Sequence, residues 1–446
     1  MNLKLDNSVT IIGGGLAGCE AAYQLAKRGV RVTLYEMRYT GRDEPAPVTT
    51  PAHRTGLLAE LVCSNSLKSV EPANAHGLLK AELKLLDSLI VKTAKLCAVP
   101  AGKALAVDRA GFARLVTERI AALPGVTIRQ EEATAIPDGP CIVASGPLTS
   151  DALASGIAAF AGADNLFFYD AIAPIVSADS LDQAKMFRGS RYSDDGQYWN
   201  CPLTKQQYRD FVAALAGAER HRPHGFEAGH YFEGCMPVEA LAERGPDALR
   251  FGMMKPVGLF NPHEGRRPYA VLQLRQENAA GTMYNLVGFQ TQLAQGEQRR
   301  VFGMVPGLER AEFLRYGSMH RNSYLNAPGL LLPTLQAAAR PSLFFAGQLT
   351  GVEGYVESTA SGLLAGINAA LLLDGKTPVS PPLTTMIGQL CHHVSAPPAR
   401  PFQPMNANFG LLPPLGRDYP TKRERNQAHA RRSLEDLRFF PDQHQS

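Results

Sequence analysis

Residues 9–36 combine apolar segments and glycines in an order that few folds accommodate. Residues 9–12 form an apolar run that predicts a buried strand, followed by glycines at the G-x-G-x-x-G spacing and then a segment with helical periodicity. In this pattern the first glycine permits a tight turn, the second lets backbone approach a pyrophosphate and the third lets helix and strand pack closely. The phosphates lie at the helix N-terminus, where free N–H groups favour anions. The predicted dinucleotide-binding residues of the turn are Gly13, Gly14, Gly15, Leu16, Ala17 and Gly18.

A second strand is predicted directly after the helix. Residues 30–34 alternate between apolar and polar, and the pattern ends at Glu36. The carboxylate of Glu36 would lie where it can accept hydrogen bonds from a ribose 2′-OH. A lone glycine motif is weak evidence, but strand, glycines, helix, strand and terminal acid in register are specific. Met37 and Arg38 complete this predicted binding segment.

A late segment indicates which dinucleotide is bound. Residues 342–347 form an apolar strand that ends at Gly347, and a glycine-rich turn then leads into an apolar helix. Dehydrogenases that use NAD need only the N-terminal pattern, whereas many FAD proteins close the fold with such a strand and a helix pointing at the isoalloxazine. We therefore predict FAD, with Gly347, Gly351, Gly354 and Tyr355 as further contacts. No second G-x-G-x-x-G occurs, so a nicotinamide donor would dock transiently.

The predicted fold class is α/β, a glutathione-reductase-like Rossmann FAD-binding domain that is discontinuous, with an inserted α+β domain. Between residues 164 and 332 the sequence has many aromatic residues, more turns and mixed helix and strand signals. We expect residues 1–163 and 333–376 to form the FAD-binding domain and residues 164–332 the insertion. Residues 377–446 would form a proline-rich docking segment and a basic helix.

Composition and cysteine spacing exclude several classes of protein. The formal net charge of +4 and the 19% of charged residues are ordinary and do not by themselves indicate a nucleic-acid partner. The first strand begins too early for a signal peptide to precede it, and no apolar run reaches membrane-spanning length. The seven cysteines are odd in number and widely spaced, which excludes C-x-x-C pairs. We expect a reduced, cytoplasmic protein without a metal or a membrane partner.

Two cysteines lie in polar, charged surroundings of the kind that activate a thiol. Cys63 is flanked by Glu60 and Lys68, and Cys235 is followed by Pro237 and several basic residues. A free thiol has a pKa of about 8.5, so a thiolate at neutral pH requires a nearby cation or helix N-terminus. We expect the other five cysteines to be buried and inert.

Six segments, which include both cysteines, resemble the folate- and FAD-dependent tRNA uracil-5-methyltransferases, the TrmFO family, which is related to the GidA flavoproteins. The resemblance covers nearly the whole chain, with one departure in the loop before Cys63, which is longer than the family's and has Tyr39 where a proline is usual. The segments are residues 34–38, 50–53, 59–69, 232–259, 283–291 and 346–368.

The resemblance implies conversion of the T-loop uridine of tRNA, position 54, to 5-methyluridine. It implies 5,10-methylenetetrahydrofolate as the one-carbon donor and FADH2, regenerated by NAD(P)H, as the reductant. Uracil C5 is a poor nucleophile, so a thiolate must first add at C6. The resemblance assigns that thiolate to Cys235 and makes Cys63 the second catalytic cysteine, near the flavin.

Alternatives remain open at the level of sequence. The same chemistry on ribosomal RNA is not separated from the tRNA reaction, and the related flavoprotein of wobble-uridine modification is disfavoured only by its greater length. A small-molecule flavin oxidoreductase would not need the isolated thiol of Cys235. A non-catalytic flavin or RNA-binding module would tolerate loss of both cysteines. The basic residues within 422–438 fit either phosphate contacts or a solvated helix face.

Overall fold

The computed structural model of the chain describes residues 7–46, 48, 50, 52–162, 166–220, 236–397, 402–438 and 440, without the side chains of residues 166–171, 193, 194 and 320–323. The strands are β1 (Ser8–Ile12), β2 (Arg31–Tyr35), β3 (Ser66–Ser69), β4 (Ala98–Val99), β5 (Ala104–Val107), β6 (Val126–Arg129), β7 (Cys141–Val143), β8 (Leu166–Ile172), β9 (Ile175–Ser177), β10 (Phe187–Ser190), β11 (Ser193–Leu203), β12 (Ala270–Gln276), β13 (Met283–Leu286), β14 (Phe313–Arg315), β15 (Ser318–Tyr324), β16 (Gln336–Ala337) and β17 (Arg340–Phe345).

The helices begin where polar residues satisfy the first free N–H groups. Ser88 and Asp108 accept hydrogen bonds from the N–H three residues further on, and Thr204 forms a reciprocal capping box with Gln207. The helices are α1 (Leu16–Ala26), α2 (Ala75–Leu85), α3 (Leu89–Leu96), α4 (Arg109–Ala121), α5 (Asp151–Ala161), α6 (Lys205–Ala216), α7 (Val238–Ala242), α8 (Ala248–Phe251), α9 (Gln295–Phe302), α10 (Tyr355–Leu373), α11 (Met386–Ser395) and α12 (Lys422–Leu437).

The main sheet is built from both ends of the chain. Its strand order is β16-β17-β7-β1-β2-β6, and every pair except β16 with β17 is parallel. The central strand β1 has Ile11 fully buried, as expected for a strand covered on both faces. Because the sheet is parallel here, the carboxyl ends of β1, β2, β7 and β17 meet at one edge, which is where ligands bind in open α/β sheets.

Helices α1 and α10 pack closely against each other, with their backbones almost in contact. A Cβ on Gly362 would come within 2.2 Å of the Ala17 carbonyl oxygen, and one on Gly366 within 2.8 Å of the Ala21 carbonyl oxygen. The two glycines therefore permit the close approach. The expectation that no apolar run reaches membrane-spanning length was wrong for α10, which is long and apolar enough by length and composition alone. Most of α10 is buried in this packing, as is usual for a core helix.

A second sheet, the insertion sheet, is antiparallel and has its own core. Its order is β10-β11-β12-β13-β9-β14, and helices α6, α7 and α9 cover one face. Buried aromatic and aliphatic side chains, among them Phe211, Leu272, Phe289 and Phe302, form a hydrophobic cluster separate from that of the main sheet. Strands β8 and β15 form a separate two-stranded antiparallel sheet. The exact domain boundaries stay a prediction.

The C-terminal segment is joined to the main unit through Glu82. Met386, Ile387 and Leu390 of α11 belong to the core of the main sheet, so this part of the predicted docking segment packs as core. The buried Glu82 carboxylate accepts hydrogen bonds from the N–H groups of Met386 (2.7 Å) and Ile387 (2.9 Å) and from the hydroxyl of Ser433 in α12. One carboxylate thus ties α2, α11 and α12 together.

We expect the free energy of unfolding to depend on pH through Glu82. Burial raises the pKa of Glu82 from its ordinary value of 4.5 to about 7. Between these values the unfolded chain has lost a proton that the folded chain keeps, so stability falls as pH rises, by on the order of 3 kcal/mol. The stability of the wild type relative to Glu82→Gln, measured by urea denaturation, should therefore decrease from pH 4.5 to pH 7 and then level off. A constant difference would contradict this, and Glu118→Gln on the exposed face of α4 is the control.

Candidate active site

Two adjoining cavities lie along the carboxyl edge of the main sheet. The first, the glycine cleft, extends from the turn after β1 and holds about 980 Å³ of empty space up to its open mouth. The second, the cysteine cavity, holds about 1330 Å³ and lies between the main sheet and the insertion sheet, with Cys63 in its wall. The residues that line both cavities are Val62, Pro147, Leu148, Gln348 and Tyr355.

The glycine turn has the geometry that a pyrophosphate requires. Gly13 has φ of +103°, and a Cβ there would lie 2.5 Å from the Ala144 carbonyl oxygen. A Cβ on Gly18 would lie 1.9 Å from the Gly13 carbonyl oxygen, so this glycine permits helix and strand to pack. Gly15, by contrast, has no atom within 4 Å of its Cβ position and begins α1 without a side-chain cap. Open space at the N-terminus of a helix is suited to an anion.

Glu36 is held in a fixed orientation beside this turn. Its carboxylate accepts hydrogen bonds from the backbone N–H groups of Gly14 (2.9 Å) and Arg38 (3.1 Å), and it pairs with the Arg38 guanidinium at 3.1 Å. A carboxylate has about four acceptor positions, so it can also receive ribose hydroxyls. Arg38 is 2% exposed and also donates to the Thr55 carbonyl, so it holds Glu36 and the following loop in place.

The predicted cofactor residues take different places around the two cavities. Gly14 supports Glu36 and Gly18 packs against Gly13. Gly351 lines neither cavity, because its Cβ position faces the Phe402 ring at 2.4 Å, whereas Gly354 lines the cysteine cavity. The predicted residues that line the glycine cleft are Gly13, Gly15, Leu16, Ala17, Glu36, Met37, Arg38, Gly347 and Tyr355.

The cleft also has walls that the sequence motifs did not identify. Residues 131–133 follow β6 and residues 144–150 follow β7, and both segments line the cleft. Each segment follows the carboxyl end of a parallel strand. Because ligands in open α/β sheets bind at those ends, the position of these segments in the sequence could have predicted them as cleft residues. Gln348 and Ser358 also contribute, from the turn after β17 and from α10.

The loop that carries Cys63 is bonded to the start of α10. The Tyr355 hydroxyl oxygen accepts hydrogen bonds from the N–H of Cys63 (2.8 Å) and of Ser64 (3.1 Å). Burial and the neighbouring Cys63 raise the pKa of Tyr355, so its phenol stays protonated at neutral pH. Cys63 itself is half-buried and therefore reachable from the cysteine cavity. These two hydrogen bonds hold Cys63 beside Tyr355, where the two cavities join.

Three arginines from distant elements hold the same loop. Arg109 of α4 donates to the Leu61 carbonyl, and Arg315 of β14 donates to the Val62 carbonyl at 2.9 Å. Burial, with the positive charge of Arg109, lowers the pKa of Arg315 to about 10. Arg275 of β12 donates to the Ser64 hydroxyl at 2.9 Å. The sequence carried no local sign of these contacts.

Cys235 lies outside the described residues, so its position is not described. The chain that follows it is fixed beside the cysteine cavity. The Val238 N–H donates to the carbonyl of Gln290 at 2.7 Å, and Gln290 lines the cavity. Buried Glu239 accepts hydrogen bonds from the Thr291 hydroxyl (2.9 Å) and the Gln292 N–H (2.7 Å).

Four of the other five cysteines are buried, as expected, whereas Cys97 is half-buried and that part of the expectation was wrong. Burial raises the pKa of Cys141 and of Cys391 to about 12, and it raises the pKa of Cys19, Cys97 and Cys201 as well. Within the described ranges, no group of three or more histidine, cysteine or acidic side chains is arranged to hold a metal ion.

A parallel sheet with a glycine turn and a buried carboxylate beside it, joined to an antiparallel insertion, defines a dinucleotide-binding α/β protein. Residues 8–377 match the family model described as glucose inhibited division protein A. The chain is 57% identical over 433 residues to methylenetetrahydrofolate--tRNA-(uracil-5-)-methyltransferase TrmFO of Moorella thermoacetica, covering 97% of this chain and 98% of that protein. It is 56% identical to the protein of the same name from Pelotomaculum thermopropionicum, covering 98% of each.

Solved structures agree on the fold. GidA of Aquifex aeolicus in its form II crystal aligns with a TM-score of 0.67 and 17% identity, over 99% of this chain and 76% of that chain. The form I crystal gives a TM-score of 0.68 at 16% identity, over 98% and 77%. The chain therefore belongs to the glucose inhibited division protein A family and, within it, to the TrmFO group. The α/β fold class and the family resemblance predicted from the sequence are confirmed.

Proposed function

We propose that the chain transfers the one-carbon unit of 5,10-methylenetetrahydrofolate to C5 of the T-loop uridine of tRNA, position 54, with FAD as cofactor and NAD(P)H as the source of electrons. The observation that carries the proposal is the junction of the two cavities, where Cys63 and Tyr355 lie between a dinucleotide cleft and a second, substrate-sized space. The printed names of relatives at 56–57% identity support the reaction. A tRNA substrate places the protein in the cytoplasm.

The glycine cleft fits FAD. The open space at Gly15 and the N-terminus of α1 would take the pyrophosphate, and Glu36 would accept the ribose hydroxyls. The far end of the cleft, beside Gly347 and Tyr355, opens into the cysteine cavity and would take the ring system. When bound and reduced by NAD(P)H, FAD would supply the two electrons that convert a one-carbon unit at the oxidation level of formaldehyde into a methyl group.

The remaining chemistry belongs to the chain. The thiolate of Cys235 adds to C6 of uracil, so that electron density accumulates at C5 and on the neighbouring carbonyl oxygen. C5 then forms a bond to the methylene carbon, the bonds from that carbon to the folate nitrogens break so that tetrahydrofolate leaves, and C5 loses its proton. Hydride addition to the resulting exocyclic methylene completes the methyl group and expels the thiolate from C6, which restores the C5=C6 double bond. Both ring substrates bind where the one-carbon unit is transferred and reduced, and we assign that space to the cysteine cavity.

Cys63→Ala should retain flavin while methyl transfer falls by about a hundredfold or more, the range expected when a group that moves a proton is lost. The Tyr355 hydroxyl bonds the backbone of the loop and not the Cys63 side chain, so the substitution leaves the loop in place. Cys97→Ala, at a half-buried cysteine that lines neither cavity, is the control. Full activity of Cys63→Ala, measured with bound flavin quantified by absorbance, would limit Cys63 to a packing role.

The function is tested by transfer of labelled methylene from methylenetetrahydrofolate to unmodified tRNA with FAD and NADPH present. A control tRNA has cytidine in place of the T-loop uridine. Label in the first RNA and not in the second establishes reaction and position together. Ribosomal RNA is assayed in the same way, and label in that RNA alone would establish the alternative RNA substrate. If no RNA is labelled, the remaining candidate is a small-molecule flavin oxidoreductase. The names of the relatives favour neither alternative.

A further inference from the structure

The insertion sheet forms one wall of the cysteine cavity, and two polar side chains face the cavity from it. Asn285 of β13 is in register opposite Arg275 of β12, and both residues line the cavity. Side chains directly opposite each other on antiparallel strands project from the same face, with Cβ atoms about 5 Å apart. They are 3% and 7% exposed. Arg275 is bonded to Ser64, so Asn285 is close to the loop that carries Cys63.

Asn285 has a buried amide nitrogen without a partner. Two residues of the cysteine cavity, Asn285 and His76, have a buried side-chain nitrogen without a hydrogen bond in the described part of the chain. The His76 nitrogen lies 3.3 Å from the Glu357 carboxylate and so has an ionic neighbour, whereas Asn285 has none. Folded proteins rarely leave such a donor unsatisfied, and an acceptor atom of a bound ligand would satisfy it.

Among the described residues of this sheet, Trp199 also has a buried N–H without a partner, but it lines neither cavity. A buried asparagine of the same sheet, by contrast, has its hydrogen bonds satisfied. Asn200 of β11 donates from its amide to the Phe187 and Gly189 carbonyls at 3.2 and 3.0 Å and accepts from Gln273 at 2.8 Å. Asn200 is fully buried and lines neither cavity. Of these two buried asparagines, the one that lines the cavity has the unpaired donor.

We propose that Asn285 recognises the lactam edge of a ring bound in the cysteine cavity, its amide N–H donating to the ring carbonyl and its amide oxygen accepting from the adjacent ring N–H. An amide presents a donor beside an acceptor, which is the complement of that edge. The inference rests on the proposed function, because both of its ring substrates have such an edge: N3–H and C4=O of uracil, and the corresponding atoms of the pterin of folate.

The position of Asn285 also suits the charge that develops in the reaction. Addition of a thiolate to C6 of uracil moves electron density onto O4, so a donor aimed at O4 stabilises the addition product more than the starting ring. Arg275, the cross-strand neighbour, adds positive charge on the same side. If the ring is uracil, loss of the amide lowers kcat; if it is the pterin, loss of the amide raises KM for the folate.

The test is Asn285→Leu, similar in size but without polar atoms, with Asn200→Leu as the matched control. An unpaired amide adds nothing to the stability of the free protein, so Asn285→Leu should keep or raise the melting temperature of the FAD-loaded enzyme while kcat/KM falls at least tenfold. Asn200→Leu, which breaks satisfied hydrogen bonds, should lower the melting temperature. A loss of melting temperature in Asn285→Leu equal to that of the control would overturn the inference.

The two ring substrates are then separated by kinetics with each one varied. A tenfold or larger fall in kcat at saturating folate, with KM for methylenetetrahydrofolate unchanged, assigns the contact to uracil. A tenfold or larger rise in KM for methylenetetrahydrofolate assigns it to the pterin. Constants within twofold of wild type for both substrates would overturn the inference and leave the proposed function intact. Absence of methyl transfer in the wild type would overturn the proposed function, and this inference with it.

Discussion

Replacement of Cys235 by serine should lower the rate of methyl transfer by roughly a thousandfold or more, the scale seen when a nucleophile is removed. Uracil C5 reacts only after a nucleophile has added at C6, and a serine hydroxyl, unlike a thiol, is not ionised near neutral pH. Because the glycine cleft is formed by other segments, the variant should bind FAD as the wild type does. Turnover with unmodified tRNA and flavin absorbance measure the two properties.

A covalent trap makes this prediction specific to the nucleophile. A tRNA with 5-fluorouridine at the target position has no proton at C5 to lose, so the wild type should remain attached to it through the thiolate. Cys235→Ser should form no such adduct, and Cys97→Ser should form it normally. Turnover of Cys235→Ser near the wild-type rate, or an adduct with that variant, would show that another residue is the nucleophile.

Gly15→Val should fold and lose most of its FAD. Gly15 has φ of −75° and no atom within 4 Å of its Cβ position, so the chain accommodates a side chain there. The added atoms would occupy the space assigned to the pyrophosphate. An overlap of this kind costs about 1–3 kcal/mol, which weakens FAD binding by about 5- to 150-fold. Titration of the apoprotein with FAD, followed by flavin fluorescence, gives the dissociation constant.

Gly139→Val is the matched control for the cofactor prediction. Gly139 also has open space at its Cβ position, but it is exposed and lines neither cavity. This variant should bind FAD with wild-type affinity, and both variants should keep the melting temperature of the apoprotein. Wild-type affinity in Gly15→Val would mean that the pyrophosphate binds elsewhere. A large fall in melting temperature would mean that the turn tolerates no side chain.

Local patterns in the sequence were enough to predict the elements that build the dinucleotide turn. The predicted strand, glycines, helix and strand correspond to β1, the turn, α1 and β2, and the predicted return strand corresponds to β17. These elements are set by backbone conformation and by hydrophobic period within a few residues, which is information that a contiguous segment carries. Gly351 shows where the pattern was insufficient, because the ring of Phe402, from the C-terminal segment, occupies its Cβ position.

The side chains around Cys63 depend on contacts between distant parts of the chain. Arg315 bonds the Val62 carbonyl across 253 positions, and Arg275 bonds Asn65 across 210. No period or motif links such residues, because their partners are chosen by how two sheets pack against each other. The sequence alone determined the glycine turn, its acidic neighbour and the reactive cysteine candidates, all of which are local. Only the tertiary structure decided that Cys63, Tyr355 and Asn285 share one cavity. Burial and hydrogen bonding between separate units depend on residues far apart in the sequence, so no contiguous segment contains that information.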